Sequence, residues 1–324
     1  MGAAAPSHKG AQRPHWGINL PAQHTTWDEL RDTALLVDRL GFDSLWTWDH
    51  FVPLDGDPTG PMFEAWELLA AWGAITSRVR IGTLVTGVTY RPPAVLAKMA
   101  ATLDHVTNGR AILGLGGAWH EGEHAMYGLR FPTTAGRLAR LDEAAHALRL
   151  LLDEPVANFA GKHYQLTDAV AEPKPVQKRL PILIGGGGLR KTLRTTARYA
   201  DYWHGHGTPE VIRLKVDTLA AHCADVGRDV NEITPLTSVR PEVVLRERVG
   251  DVEAQLDRVK ARFRMIERPN MNPIHTVDAL VERCAALWRA GARGFILYFM
   301  APFDHETIER VAAEVRPKLE EAIA

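Results

Sequence analysis

Cysteine is almost absent from this sequence, with only Cys223 and Cys284 among 324 residues. Two thiols are too few for a disulfide framework, so we expect a protein of the reducing cytoplasm. Long apolar runs are missing as well, since no stretch approaches the roughly 20 residues that a membrane-spanning helix needs. Residues 1–14 lack the basic and the long apolar segment of a signal peptide, and we expect them to form a flexible arm.

An excess of charge of either sign is also missing. The chain has 38 Lys and Arg against 39 Asp and Glu, which gives a net charge of −1. No strongly basic face is therefore expected, and nucleic acid and anionic membranes are excluded as main partners. Apolar residues, by contrast, make up 46% of the chain, enough for a large core. The composition favours a globular protein whose partner is a small molecule.

Short apolar runs alternate with amphipathic segments over most of the chain. Eight runs are typical of strands covered on both faces: 15–21, 44–50, 80–87, 111–117, 181–188, 201–207, 233–244 and 294–300. Helical spacing of apolar residues falls at 26–41, 63–76, 92–107, 135–153, 190–200, 209–226 and 304–322. Eight successive strand–helix units predict a closed (β/α)8 TIM barrel rather than an open doubly wound sheet. We expect a single domain over 15–324, with insertions after strands 4 and 7, at 128–180 and 245–275.

An acid and an imidazole stand side by side where the second predicted strand ends. The stretch "WDHF" (48–51) contains Asp49 and His50. In such barrels the chemistry lies at the carboxyl ends of the strands. An Asp next to a His can tune the imidazole to exchange protons near neutral pH. The alternative is a His that only caps the strand by hydrogen bonding.

Four glycines, at 185–188, separate the fifth predicted strand from a helix. They allow the backbone to approach a ligand closely, and the helix start offers N–H groups and a positive dipole end. Arg190 and Lys191 add positive charge, so we expect this loop to bind a phosphate group. The spacing fits neither a Rossmann fingerprint nor a P-loop. A tight turn before a solvated basic helix is the alternative interpretation.

The stretch "HEGEH" (120–124) has the spelling of a zinc peptidase site. His120 and His124 could share a zinc ion on one helical face, with Glu121 as general base. However, Gly122 weakens a helix by roughly 1 kcal/mol relative to alanine, and the longer HExxHxxGxxH pattern is not completed. Glu121 and Glu123 are explained more simply as acids at a helix start. We therefore predict no metal site here.

Four longer stretches together resemble a known family. They are "GFDSLWTWDHF" (41–51) and the segments 80–123, 181–203 and 290–299. On these, the chain resembles the bacterial luciferase-like superfamily and, within it, the oxidoreductases that use the deazaflavin coenzyme F420. The resemblance covers essentially everything from His15 onward.

The resemblance implies hydride transfer between F420 and a small organic substrate, in a homodimer. The cofactor ring would lie across the barrel mouth, on a non-proline cis peptide expected between Thr83 and Leu84. His50 would face the substrate and Asp49 the polar edge of the ring, and both are predicted to be catalytic. The residues expected to bind the cofactor are Asp49, Thr83, Leu84, Gly117, His120, Gly185, Gly186, Gly187, Gly188, Arg190 and Lys191.

Two other functions fit the same barrel. One is an FMN-dependent monooxygenase that receives reduced flavin from a separate reductase, and the other is a flavin-binding barrel without turnover. The sugar-phosphate dehydrogenases of the F420 branch carry an aromatic wall where this chain has Leu54, and an acid where it has Trp119. Glucose 6-phosphate is therefore not the expected substrate. The loops 51–62, 155–175 and 245–275 are expected to set substrate choice.

Overall fold

The computed structural model describes residues 13–240, 242–265 and 273–324. The predicted arm at 1–14 therefore lies almost entirely outside the described residues. Only Arg13 and Pro14 of the arm are described. Arg13 forms an ion pair with Asp43, with 2.7 Å between Nη2 and Oδ1.

A closed barrel of eight parallel strands confirms the predicted TIM fold. In chain order the strands are β1 (His15–Asn19), β2 (Ser44–Thr47), β3 (Arg80–Thr83), β4 (Thr86–Gly87), β5 (Ala111–Gly116), β6 (Ala157–Ala160), β7 (Gln165–Ala169), β8 (Ile182–Gly185), β9 (Tyr202–Gly205), β10 (Thr234–Ser238) and β11 (Gly294–Tyr298). The barrel follows the order β3-β2-β1-β11-β10-β9-β8-β5, and pairing between β3 and β5 closes it. Each barrel strand lies inside one of the predicted runs.

Helices connect the strands of the barrel. They are α1 (Trp27–Arg39), α2 (Ala65–Ile75), α3 (Pro93–Val106), α4 (Glu121–Met126), α5 (Thr134–Asp153), α6 (Thr192–Tyr199), α7 (Pro209–Asp225), α8 (Val249–Phe263), α9 (Val277–Arg289), α10 (His305–Arg310) and, after a π turn at Val311–Val315, α11 (Arg316–Ile323). Within the described ranges, none of them combines the length and the apolar character needed to cross a bilayer.

The first helix shows how local sequence determines these elements. Thr26 caps its start, because the side chain accepts from the Glu29 N–H at 3.3 Å while Glu29 Oε2 accepts from the Thr26 N–H at 3.0 Å. Leu30, Ala34 and other apolar residues at helical spacing are buried in the core cluster that also contains Trp16 and Ile18 of β1. The helix ends before Gly41, whose φ of +68° suits glycine.

Two connections are longer than a simple strand–helix unit. Between β5 and β8 the chain forms α4, α5 and the antiparallel hairpin of β6 and β7. Between β10 and β11 it forms α8 and α9. The second connection includes 266–272, which lie outside the described residues.

The inside of the barrel is filled by side chains. A buried cluster there consists of Trp46, Ile112, Leu183, Tyr202, Leu236 and Ile296. Leu84 and Val85 pack on it and are only partly buried. The barrel is therefore a packed core and not a pore, and in such barrels the active site lies at the carboxyl ends of the strands.

Candidate active site

A non-proline cis peptide lies just after β3, at the mouth of the barrel. It joins Leu84 to Val85, so the predicted position between Thr83 and Leu84 is wrong by one residue. The Leu84 N–H still donates to the Thr47 carbonyl at 2.8 Å, and Thr83 Oγ1 donates to the Gly114 carbonyl at 3.0 Å. The ladder therefore continues through Leu84, and the chain departs from it one residue later than expected. Thr83 is buried, whereas Leu84 is half-buried at the mouth.

Glycines at the neighbouring strand ends make room for Val85. A Cβ on Gly116 would stand 2.5 Å from Val85 Cγ2, and one on Gly185 would stand 2.9 Å from Val85 Cγ1. Neither position can carry a side chain unless Val85 moves. The two glycines and Val85 thus form one side of the mouth, and Gly117 continues from it half-buried.

His50 is held by a buried carboxylate from α4. Its side chain is 10% exposed, and its Nδ1 lies 2.9 Å from Oε2 of Glu123, which is 0% exposed. Glu123 also accepts from the hydroxyl of Tyr90 and from the main-chain N–H groups of Phe51 and Val52, the last at 3.3 Å. The structure thus pairs His50, which the sequence predicted as a site residue, with a residue of the helix that follows a different strand, β5.

The charge of Glu123 is stabilised by these donors. Burial by itself would raise the pKa of the carboxyl, but the hydrogen bonds from His50, Tyr90 and the Phe51 N–H outweigh it and lower the pKa to about 2. Glu123 is therefore ionised at neutral pH. For Tyr90, burial and the adjacent carboxylate raise the pKa of the phenol, which stays a donor.

Sequence reasoning missed Glu123 as a site residue. It is the third residue of α4, where an acid is ordinarily explained by the helix dipole. Its neighbour Glu121 is exposed, as that explanation expects, but Glu123 points inward to His50. The one available hint was the pattern itself, since two acids two apart on a short helix cannot both face solvent equally.

The two histidines of "HEGEH" have other partners than a zinc ion. His120 caps α4, with its Nδ1 accepting from the Glu123 N–H at 3.0 Å. His124 is buried, with Nδ1 at 2.7 Å from the His120 carbonyl and Nε2 at 2.7 Å from Thr89 Oγ1. In the described part of the chain, no three His, Cys, Asp or Glu side chains group as metal ligands. A zinc site would require His124 to give up one of these bonds.

Asp49 lies in an ion pair below the mouth. It is 1% exposed, and Arg91 contacts both of its oxygens, with Nη1–Oδ2 at 2.6 Å and Nη2–Oδ1 at 3.3 Å. Arg91 Nη2 also donates to Glu64. Burial raises the pKa of Asp49 despite the guanidinium. These contacts favour a positioning role, and a direct contact between Asp49 and a cofactor ring stays a prediction.

The predicted phosphate loop follows β8. Gly186 has a φ of +128° and donates its N–H to the His204 carbonyl at 3.0 Å. Lys215, on α7, was not predicted: a Cβ on Gly187 would stand 2.6 Å from its Nζ, which donates to the His206 carbonyl at 2.9 Å. Gly185 and Gly187 are half-buried, and Gly186 and Gly188 are exposed. An accessible glycine backbone beside an ammonium group is chemistry suited to a phosphate.

The two basic residues predicted for this loop lie further out. Arg190 and Lys191 are exposed in the turn that leads into α6. They lie on the same connection as the glycines, so they contribute positive charge to its solvent side.

Aromatic rings line the mouth around His50. Trp48 stacks on Tyr298, with ring centroids 5.1 Å apart and an interplanar angle of 10°. Trp119 lies edge-on at 5.7 Å from the His50 ring and is 64% exposed. A molecule that approaches His50 therefore passes along an apolar, aromatic wall.

Comparison with known proteins gives a consistent grouping. Residues 6–314 match the family model described as luciferase-like monooxygenase. The chain is 38% identical over 177 residues to F420-dependent glucose-6-phosphate dehydrogenase of Kineococcus radiotolerans, which is 53% of this chain and 50% of that protein. It is 35% identical over 174 residues to pyrimidine monooxygenase RutA of a Caulobacter species, 52% of this chain and 48% of that protein. The chain thus spans about half the length of each of these relatives.

Solved structures show the same fold. An F420-dependent secondary alcohol dehydrogenase in complex with an F420–acetone adduct superposes with a TM-score of 0.80, covering 95% of this chain and 99% of that one. The identity is 20%, so this similarity concerns the fold alone.

Proposed function

The chain belongs to the luciferase-like monooxygenase family, and from this premise we propose that it transfers a hydride between coenzyme F420 and a small organic substrate. The observation that carries the proposal is the imidazole of His50, held by a buried carboxylate at the barrel mouth. The relatives with F420-dependent activities support the choice of cofactor.

The residues at the mouth suit a planar cofactor with a phosphate. The partly buried Leu84 and Val85 offer an apolar support for a ring. The glycine loop at 185–188 and Lys215 offer N–H groups and an ammonium to a phosphate. When bound, F420 would supply a ring carbon that accepts or releases hydride.

His50 would handle the proton that accompanies the hydride. Its Nδ1 is engaged by Glu123, so Nε2 is the atom available to a substrate. When a hydroxyl is oxidised, this nitrogen takes the hydroxyl proton, and when a carbonyl is reduced it returns the proton. Asp49 and Arg91 would fix the strand end on which His50 stands.

A second candidate is an FMN-dependent monooxygenase that works with a separate reductase. The similarity to a pyrimidine monooxygenase favours it, and the same glycine loop would suit the phosphate of FMN. The two candidates differ in the cofactor that binds and in whether oxygen is consumed. The homodimer implied by the family resemblance remains a prediction for either.

Titration of the protein with F420 and with FMN, side by side, tests the proposal. We expect F420 fluorescence to be quenched at micromolar protein, and FMN to bind more weakly. Tight FMN binding without F420 binding would replace the proposal by the second candidate. Binding of neither would refute both.

Two variants refine the test. Lys215→Ala should raise the Kd for F420 by roughly 10- to 100-fold, because a charge-assisted contact contributes about 1.5–3 kcal/mol. Lys318→Ala, on α11, is the matched control and should leave the Kd unchanged. His50→Ala should keep F420 binding but abolish turnover of an alcohol or ketone panel followed by F420 absorbance. If no substrate in the panel is turned over by wild type, a binding protein without turnover becomes the better description.

A further inference from the structure

Two imidazoles at the barrel mouth are both held by one residue. The rings of His50 and His120 have centroids 6.1 Å apart. Glu123 contacts Nδ1 of each ring, through its carboxylate for His50 and through its main-chain N–H for His120. The two contacts are of opposite kind, because one group accepts hydrogen bonds and the other donates them.

The carboxylate determines the tautomer of His50. An ionised carboxylate can only accept, so Nδ1 of His50 must carry the hydrogen, and Nε2 is a bare acceptor in the neutral ring. Glu123 Oε2 accepts hydrogen bonds from His50 Nδ1 and the Tyr90 hydroxyl. Its Oε1 accepts from the main-chain N–H groups of Phe51 and Val52. With both oxygens occupied by two donors each, Glu123 acts through His50 and not on a substrate.

The main-chain N–H determines the tautomer of His120. An N–H group can only donate, so Nδ1 of His120 must accept, and the hydrogen of the neutral ring is on Nε2. Neither Nε2 forms a hydrogen bond within the described ranges. His50 and His120 thus present one acceptor and one donor.

We propose that Glu123 is a positioning residue that makes His50 an acceptor and His120 a donor toward one substrate oxygen, so that the substrate is a hydroxyl or carbonyl compound. This inference rests on the proposed function. In the oxidative direction His50 Nε2 would take the hydroxyl proton, and the deazaflavin, when bound, would supply the acceptor for the carbon-bound hydrogen and its electron pair. The C–O single bond becomes a carbonyl, whose oxygen accepts from His120 Nε2–H. Reduction reverses each movement.

The aromatic wall agrees with this substrate class. Trp48 and Trp119 flank the His50 ring at centroid distances of 6.5 and 5.7 Å. The two imidazoles would therefore bind the oxygen while the rings contact an apolar body.

Glu123→Gln provides the sharpest test. Its amide oxygen should stay on the N–H groups of Phe51 and Val52, which turns the NH₂ group toward His50. That amide donates to Nδ1 and forces the hydrogen onto Nε2, the opposite tautomer. We expect the Kd for F420 to stay within twofold and kcat to fall at least 100-fold, as when a carboxylate that orients a catalytic histidine is made an amide. Glu121→Gln, the same change at an exposed neighbour, should leave kcat and KM unchanged.

Nitrogen NMR of ¹⁵N-histidine-labelled protein reports the tautomers without any turnover. Wild type should show His50 protonated at Nδ1 and His120 at Nε2, and Glu123→Gln should move the His50 hydrogen to Nε2. Tyr90→Phe, which removes another donor from the same carboxylate, should leave the His50 tautomer as in wild type. His120→Asn should retain the helix cap and lower kcat/KM with an unchanged Kd for F420.

The outcomes separate this inference from the proposed function. A wild-type His50 with its hydrogen on Nε2, or a tautomer unchanged by Glu123→Gln, would overturn the inference whichever cofactor binds. The wild-type spectrum suffices even if the variant does not fold. The expected tautomers in a protein that does not bind F420 would support the positioning role and overturn the proposed cofactor alone.

Discussion

Glu123 should make the stability of the protein depend on pH in a calculable way. Its pKa is about 2 in the folded chain against an ordinary value of 4.5, a difference of about 2.5 units. At about 1.4 kcal/mol per unit, the ionised carboxylate stabilises the fold by about 3 kcal/mol. Because the folded pKa is the lower one, this contribution is complete above pH 4.5 and is lost as the pH falls toward 2. The linkage relation gives a loss of about 1 kcal/mol by pH 4 and about 2 kcal/mol by pH 3.

Urea unfolding followed by tryptophan fluorescence measures this loss. Wild type and Glu123→Gln are compared at pH 7, 5 and 4, since the glutamine does not titrate. The difference in unfolding free energy between them should shrink by about 1 kcal/mol from pH 7 to pH 4. Glu121→Gln should show no comparable change, because that carboxylate is exposed. A difference for Glu123→Gln that stays constant over this range would refute the reasoning.

Two further substitutions test the packing below the site. Gly114→Ala should destabilise the fold by at least about 3 kcal/mol, because the new Cβ would stand 1.8 Å from the Thr83 carbonyl oxygen. Gly250→Ala, with nothing within 4 Å, is the control, and equal urea midpoints for the two would contradict the close approach. Asp49→Asn should destabilise the fold by about 2 kcal/mol, because Arg91 keeps Glu64 but loses its buried carboxylate partner. A urea midpoint equal to that of wild type would show that the pair adds little.

The barrel could be predicted from sequence because its strands and helices have clear periodicities. Continuous apolar runs give parallel strands covered on both faces, and segments such as 26–41 combine helical spacing with a capping threonine and a terminal glycine. These are local properties of the chain, and the order of the elements then leaves few topologies.

The site was predictable only in part, because its decisive contacts join distant segments. His50 was identified from an adjacent acid, but its partner proved to be Glu123, which is 73 residues further along. The spacing of Glu121 and Glu123 indicated only that the two acids could not face solvent equally, and it did not show which partner Glu123 would reach. Lys215 is equally hidden, since its contact is with the backbone around Gly187 and no side-chain pattern marks it. The cis bond was misplaced for a similar reason, because the residue at which a strand leaves its ladder depends on neighbouring strands.

The last strand of the barrel, β11, lies between β1 and β10, so the seam of the barrel joins its first strand to its last. During synthesis, the edge of β1 that pairs with β11 stays unpaired until residues 294–298 have left the ribosome. An open strand edge is a template for wrong pairing, and pairing between distant segments is slow. Nascent chains of this protein should therefore depend on chaperones until β11 has been synthesised, and ribosome-bound chains that stop before β11 should be the ones that aggregate.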